Sequence, residues 1–482
     1  MKKKYGLFKV LAVLLLFVVL LTYVVKDRQG AYTYLALGDV FLNYLQCFYY
    51  FFDVALFILV VGGFYGFLNK IPAYKEMLKN IANKVEAKSK LFVVILTIVL
   101  ALLSSLTGLN VLLLLVVPML ISIVLLLGYD KLVAISATIG SILIGLIGGI
   151  FLTVKDPASY YGVSYTTIDK LVGLDSHFAN LLPKILLLVL GVGLLVWYML
   201  SHIKAIEAGK DSYELTDTDV LLVSVKDSKK KEEAKKVMVW PLYVVFGLVL
   251  VFLVLGYFPW VDLFKLEIFN DFHNWLLGLK IGDYAIFTSL ISGSFSAFGT
   301  WAGLGNYMMA MVLVVIFMVI LMLVYGVKFE EAFDGFLYGI KKLLPAAMIV
   351  ILAYAVLVCS YNHGFAETLI GMASDKFGDN AIVNSLVVLL GSVLHVDLYY
   401  TSAAVFTTVT STLPDGANLA VYASMYQSLF GLVQIIGPTS ILLIVGLSYL
   451  EVPYKTWLKY IWRFVVELLI IILLVLMIVS LI

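Results

Sequence analysis

His395 and Asp397 are ionisable side chains inside an apolar run from Ala381 to Leu413. A charge at that depth is costly, so such a residue faces a cavity or a partner. Tyr399, Tyr400 and Thr401 follow directly and add hydroxyl groups. Asp397 is suited to pairing with a solute amine, to carrying a proton, or to holding a sodium ion. The bland alternative is a fixed pair with His395 or a tyrosine. A second polar interruption, Ser104-Ser105-Leu106-Thr107-Gly108-Leu109-Asn110, lies in the run from Leu91 to Leu127. Ser105 and Ser392 are 287 positions apart (392 − 105), and Gly148-Gly149 answers to Gly437-Pro438 at about the same offset. Matched interruptions of apolar segments in two halves point to the binding site of a secondary transporter.

Helices that stop inside a membrane present unpaired N–H or C=O groups and half-helix dipoles. Such ends, with serine, threonine and asparagine beside them, can bind a carboxylate or a small cation. The candidate substrate-binding residues are therefore Ser104, Ser105, Thr107, Gly108, Asn110, His395, Asp397, Tyr399, Tyr400, Thr401, Thr439 and Ser440. Gly148, Gly149 and Gly437, where glycine or proline frees backbone carbonyls, join Asp397 as candidates for ion coupling. The competing reading is that these small residues only let helices pack closely. Gly62, Gly63 and Gly66 are read in that second way. Asp53, near the end of its span, reads as a carboxylate that snorkels to the interface.

The elements that must carry these residues are membrane helices. Hydrophobic residues make up 63% of 482 and charged residues 13%, against about 45–50% and 25% in soluble domains. A net charge of +2 offers no basic face for nucleic acid. Cys47 and Cys359 read as packed thiols, and no His/Cys spacing suits a metal. The run Leu7 to Val25 after Met1-Lys2-Lys3-Lys4 is long for a signal peptide and has no cleavage site behind it. It is read as a first, uncleaved helix with a cytoplasmic amino terminus.

The expected organisation is all-α and polytopic. A first repeat covers residues 1–203 with a re-entrant hairpin at 91–127. A cytoplasmic linker at 204–236 holds too few apolar residues for a core. Connecting helices occupy 237–303. A second, inverted repeat covers 304–482 with a hairpin at 381–413. Lys70 to Lys90 is basic and helical in its spacing, so it reads as an amphipathic surface helix. Its counterpart, Asn362 to Asp379, is acidic, which opposes the orientation of the repeats. Within them, Leu132 to Val154, Leu343 to Leu357 and Leu419 to Leu447 are expected as spans.

Gly437-Pro438-Thr439-Ser440, Gly446-Leu447 and Val452-Pro453-Tyr454-Lys455-Thr456-Trp457-Leu458-Lys459-Tyr460 resemble the end of the YfcC/DcuC-type C4-dicarboxylate carrier family of the ion transporter superfamily. Gly62-Gly63-Phe64-Tyr65-Gly66-Phe67-Leu68-Asn69-Lys70 and Leu127-Gly128-Tyr129-Asp130 are similar to other stretches of it. The resemblance runs in order along nearly the whole chain. It implies two inverted repeats, two hairpins, a homodimer held by a scaffold, and an elevator-type transport domain. It also implies dicarboxylates, or arginine–ornithine exchange, as substrates. The chain departs from the family where substrate is read. Thr107-Gly108-Leu109-Asn110-Val111 replaces a Gly-Met-Ser/Ala-Glu-Glu-like tip, and His395-Val396-Asp397-Leu398-Tyr399-Tyr400 replaces a Ser-Gly-Ser-Gly-rich one. Gly437-Pro438-Thr439 stands for Asn-Pro-Thr.

The expected function is secondary active transport of a small carboxylate-bearing solute in the cell membrane. An amino acid, by exchange or ion-coupled uptake, or a short peptide fits Asp397; a C4-dicarboxylate is the alternative. No cofactor is implied beyond Na+ or H+ as coupling ion. No Walker, GxSxG or HExxH motif supports an ATP-driven pump or a hydrolase. A non-transporting scaffold or assembly factor is the rival class, and two costly breaks argue against it.

Overall fold

The computed structural model describes residues 6–108, 110–155, 165–176, 180–210, 238–256, 260, 264–286, 288, 307–377 and 380–481. Helices α1 (Gly6–Val24), α2 (Leu37–Tyr50), α3 (Phe52–Leu68) and α4 (Pro72–Val85) open the chain. Next come α5 (Ser89–Thr107), a left-handed turn at Gly108 (φ +68°), a 3-10 segment Val111–Leu115 and α6 (Val117–Leu126). Helix α7 (Lys131–Ile135) passes through a π-turn, Ser136–Gly140, into α8 (Ser141–Ile147). An antiparallel ribbon, β1 (Thr153–Lys155) with β2 (Tyr165–Thr167), and α9 (Ile168–Leu171) lead to α10 (Leu181–Glu207). Between the halves lie α11 (Trp240–Val251), α12 (Ile268–Gly278), a small ribbon β3 (Lys280–Ile281) and β4 (Tyr284–Ala285), and α13 (Tyr307–Tyr325). The second half contains α14 (Phe329–His363), α15 (Phe365–Phe377), α16 (Ala381–Leu394), α17 (Leu398–Thr401), a π-turn Ser402–Phe406 and α18 (Thr407–Ser411). It ends with α19 (Leu419–Ile436), α20 (Ile441–Tyr449) and α21 (Tyr454–Ser480).

Among the described residues, six helical segments are long and apolar enough to cross a membrane, and α2 with α3 makes a seventh, bent by 60°. Both hairpins are present. The two ends of the first meet: the Tyr129 hydroxyl donates to Ser89 Oγ at 2.9 Å. Sixteen residues of helix carry Ser105 roughly 24 Å from that end, and the chain is back beside it at Tyr129. Cysteines placed at Ser89 and at Tyr129 are therefore expected to label from the same face of a vesicle. Labelling from opposite faces would make α5 a full crossing.

The two hairpins lie toward opposite ends of α14. Its first turns pack against the end of α3, beside Lys70, on the side of α4 and the first hairpin. Its last turn meets the α1–α2 loop and leads into α15, which packs on the second hairpin. Antiparallel packing of α3 and α14 rests on glycine. A Cβ on Gly339 would lie 1.9 Å from the Gly62 carbonyl oxygen, and one on Gly66 would lie 2.2 Å from that of Gly335. The close approach expected of Gly62, Gly63 and Gly66 is thus observed, with Gly335 and Gly339 as its other half. Gly339→Ala is expected to lower stability by about 3 kcal/mol through backbone overpacking. Gly193→Ala, where a Cβ meets nothing within 4 Å, is the control. Melting temperatures of the two variants check this.

Three expected boundaries shift. The span expected at Leu343 to Leu357 is the centre of a helix from Phe329 to His363. Its charged first turns lower the hydropathy, yet the helix continues through Gly335, Gly339 and Pro345 and ends only at left-handed Gly364 (φ +73°). The span expected to Val154 ends at Ile147, and Gly148-Gly149 terminates a helix rather than interrupting one. The linker expected from residue 204 begins after Glu207, and residues 211–236 of it lie outside the described residues.

Candidate functional site

At the second break, α19 stops at Ile436 and α20 starts at Ile441. The Thr439 hydroxyl donates to the Val393 carbonyl at 2.8 Å, which ties the break to the tip of the second hairpin. Among the described residues, three buried polar atoms around this tie have no hydrogen-bond partner: Ser392 Oγ, His395 Nε2 and Ser440 Oγ. Their residues are 0%, 0% and 1% exposed, so water does not readily replace a missing partner, and an unpaired buried group is costly. Ser440 is the N-cap of α20, yet its side chain makes no cap bond. The first-turn N–H groups of α20 have no intrahelical partner either. His395 Nδ1 lies 2.7 Å from the Gly391 carbonyl. A carbonyl only accepts, so Nδ1 carries the proton and Nε2 of the neutral ring is an acceptor.

The first break is built alike but is filled. Ser105 Oγ donates to the Gly148 carbonyl at 2.7 Å and accepts from the Ile150 N–H at 3.2 Å. The Ser104 hydroxyl donates to the Ile142 carbonyl at 2.9 Å. Ser105 reaches Ile150, 45 residues on, and Val393 reaches Thr439, 46 residues on. Each hairpin is thus stitched to the break of its own half at nearly the same spacing. Gln427 on α19 joins the halves, donating from Nε2 to the Gly149 and Ile147 carbonyls at 2.9 and 3.3 Å. The carbonyls at Gly148 and Gly149, assigned above to a coupling ion, therefore already have protein donors. Thr107 donates to the Leu103 carbonyl of its own helix. Gly108 supplies the left-handed turn, and Asn110 keeps a buried, unpartnered Oδ1 at the tip. Leu109 lies outside the described residues.

Asp397 is half-buried and caps α17, accepting the Tyr400 N–H at 3.0 Å. His395 Nδ1 bonds to Gly391 and Nε2 has no hydrogen-bond partner among the described residues, so the two side chains do not form a hydrogen-bonded pair. Thr401 returns its hydroxyl to the Asp397 carbonyl at 2.7 Å. Tyr400 packs edge-on against Tyr399, Tyr361 and Phe51, and Phe51 stacks on Tyr354 at 3.9 Å. The hairpin tip thus meets the α2–α3 bend and α14 through aromatic rings. Asp53 and Asp397 both lie within electrostatic reach of Tyr354 and Tyr400. Asp53 stands in the first turn of α3, two residues after Phe51.

The α1–α2 loop clasps the other end of α14. Arg28 donates to the Tyr361 carbonyl at 2.7 Å and to Glu367 at 2.9 Å. Burial pushes the Glu367 carboxyl above its usual range against the pull of Arg28. The N–H of Ala31 chiefly holds Asp27 below its own range.

Sequence reasoning passed over Ser392, Gln427 and Gln434 as site residues. The two glutamines sit seven positions apart in an apolar helix, hence on one face, and Gln434 Nε2 is also buried without a partner. Polar side chains at helical spacing inside a span were the available signal. The buried ion pair Lys184–Asp169 (2.7 Å) and the Asp130–His202 contact (2.9 Å) were also missed.

No curated protein matches the chain. Among solved structures, the YdaH transporter of Alcanivorax borkumensis, described as having an unusual topology, is similar at 15% identity, with 98% of this chain and 97% of that chain covered and a TM-score of 0.41. The C4-dicarboxylate anaerobic carrier (DcuC) family matches residues 46–481. With its apolar spans, this makes the chain a multi-pass membrane protein and a secondary transporter, not an enzyme. The chain belongs to the DcuC family of C4-dicarboxylate anaerobic carriers.

Proposed function

We propose that this transporter carries a small solute bearing both a carboxylate and an amine, that is, an amino acid or a short peptide. The carrying observation is the set of unpartnered buried atoms at the second break: Ser392 Oγ, His395 Nε2 and Ser440 Oγ. The two hydroxyls and the amide end of α20 suit a carboxylate. The acceptor nitrogen of His395 and the carboxylate of Asp397 suit an ammonium group. A C4-dicarboxylate, the second reading, is favoured by the family's description. It would place a second carboxylate beside Asp397 and a lone-pair nitrogen, with no cationic side chain among the described tip residues 391–402.

Asp397 or His395 is the place for a coupling Na+ or H+, and transport proceeds by exchange or ion-coupled uptake. The α3–α14 pair serves as the fixed scaffold of a homodimer, against which the hairpins and broken helices move as an elevator. The amino terminus is cytoplasmic, following the lysines of residues 2–4 and of α4. A panel of amino acids, dipeptides and dicarboxylates, tested by thermal stabilisation of the purified protein with and without sodium, checks the substrate class. Amino acids or dipeptides are expected to raise the melting temperature. A response to dicarboxylates alone supports the second reading.

A further inference from the structure

The second break sets the carbonyl end of α19 beside the amide end of α20. Helix ends behave like roughly half a charge of opposite sign, so two bare ends would largely cancel. Here they are not equally bare. The Tyr454 hydroxyl donates to the Ile436 carbonyl, and Trp457 Nε1 donates to the Ile435 carbonyl at 2.9 Å. The Gly437 N–H donates to the Val433 carbonyl at 2.5 Å. Three of the last four carbonyls of α19 therefore have donors, two of them from the first turn of α21. Trp457 is 0% exposed and Tyr454 9%, so these donors are held in place by packing. The amide end has no such cover, since the Ser440 side chain makes no cap bond and its hydroxyl is unpartnered. At the first break, Ser105 and Gln427 occupy the carbonyls in the same way.

We propose that Tyr454 and Trp457 set the charge selectivity of the second break: by occupying the carbonyl end of α19 they leave the amide end of α20 as the net field, which admits a carboxylate and disfavours a cation. This rests on reading the break as a carboxylate site. Neither residue touches the solute; both are positioning residues that act through the Ile435 and Ile436 carbonyls.

Tyr454→Phe and Trp457→Phe keep an aromatic ring and remove the donor. The full chain in mild detergent is melted in rising sodium acetate against sodium chloride of equal ionic strength, with Ser440→Ala as the baseline for bulk salt effects. Wild type is expected to respond to acetate beyond that baseline. In the double variant the half-saturating acetate concentration rises about tenfold, as expected when a partial charge of roughly −0.5 is uncovered beside the anion. Sodium chloride then also stabilises that variant over choline chloride more than it does wild type, a gain that loss of packing alone does not produce. If the double variant does not fold, Tyr454→Phe alone carries the test, with a rise of about threefold. A wild-type response no greater than that of Ser440→Ala overturns the carboxylate site and the proposal with it. A wild-type response kept unchanged in the phenylalanine variants leaves the site standing and overturns the role of Tyr454 and Trp457.

Discussion

Asp397→Asn lowers transport by an order of magnitude or more while leaving the melting temperature near that of wild type. The structure separates the two effects. Asp397 caps α17 by accepting the Tyr400 N–H, and asparagine is as good an N-cap as aspartate. The cap and the return bond from Thr401 to the backbone carbonyl both survive. What disappears is the charge. A hydrogen bond to a charged group contributes about 1.5–3 kcal/mol, and each ~1.4 kcal/mol is a factor of ten. Since His395 bonds to Gly391 instead, adding His395→Gln does not restore uptake, as it would for a mutually neutralising pair. Initial uptake in proteoliposomes at matched protein amount is the measurement. Uptake within twofold of wild type for Asp397→Asn means that transport does not need the charge of Asp397.

Ser105 and Ser392 show how far the sequence could be read. Both stand at the matched position of an interrupted apolar run, and both hairpins and the second break are found where that pattern puts them, whereas the first expected break is a helix end. The glycines of α3 were legible for a similar reason: a run of small residues in an apolar helix has one common physical use. Equivalence of position did not extend to chemistry. Ser105 has two backbone partners, and Ser392 Oγ has none. Which serine is filled depends on where the other chain segment stops. The first helix ends for good at Ile147, whereas the second resumes at Ile441. Hydropathy reports how apolar a segment is and not what its few polar atoms touch. That is why a fixed His395–Asp397 pair stood open as an alternative, although one side chain bonds back along α16 and the other caps α17. The same blindness hid Gln427, whose partners Ile147 and Gly149 are about 280 residues away and offer only backbone.

The double variant Ser392→Ala with Ser440→Ala is expected to raise KM by about 100-fold with little change in kcat. Neither hydroxyl has a partner among the described residues, so alanine removes no internal hydrogen bond there and the fold loses nothing on that account. Removing a buried polar group that lacks a partner is neutral or stabilising, so the melting temperature holds or rises. Bound carboxylate does lose two donors. At about 1.5 kcal/mol each, the low end for a charged acceptor, every hydroxyl accounts for roughly tenfold in affinity. A rise in KM at constant kcat marks binding that is equal in the resting and translocating states. Thr439→Val provides the contrast. Its hydroxyl is spent on the Val393 carbonyl, so its removal lowers the melting temperature by loosening the tie between break and hairpin. If instead the serine pair melts early and Thr439→Val raises KM alone, the solute sits against Thr439, and the two serines only pack the tip.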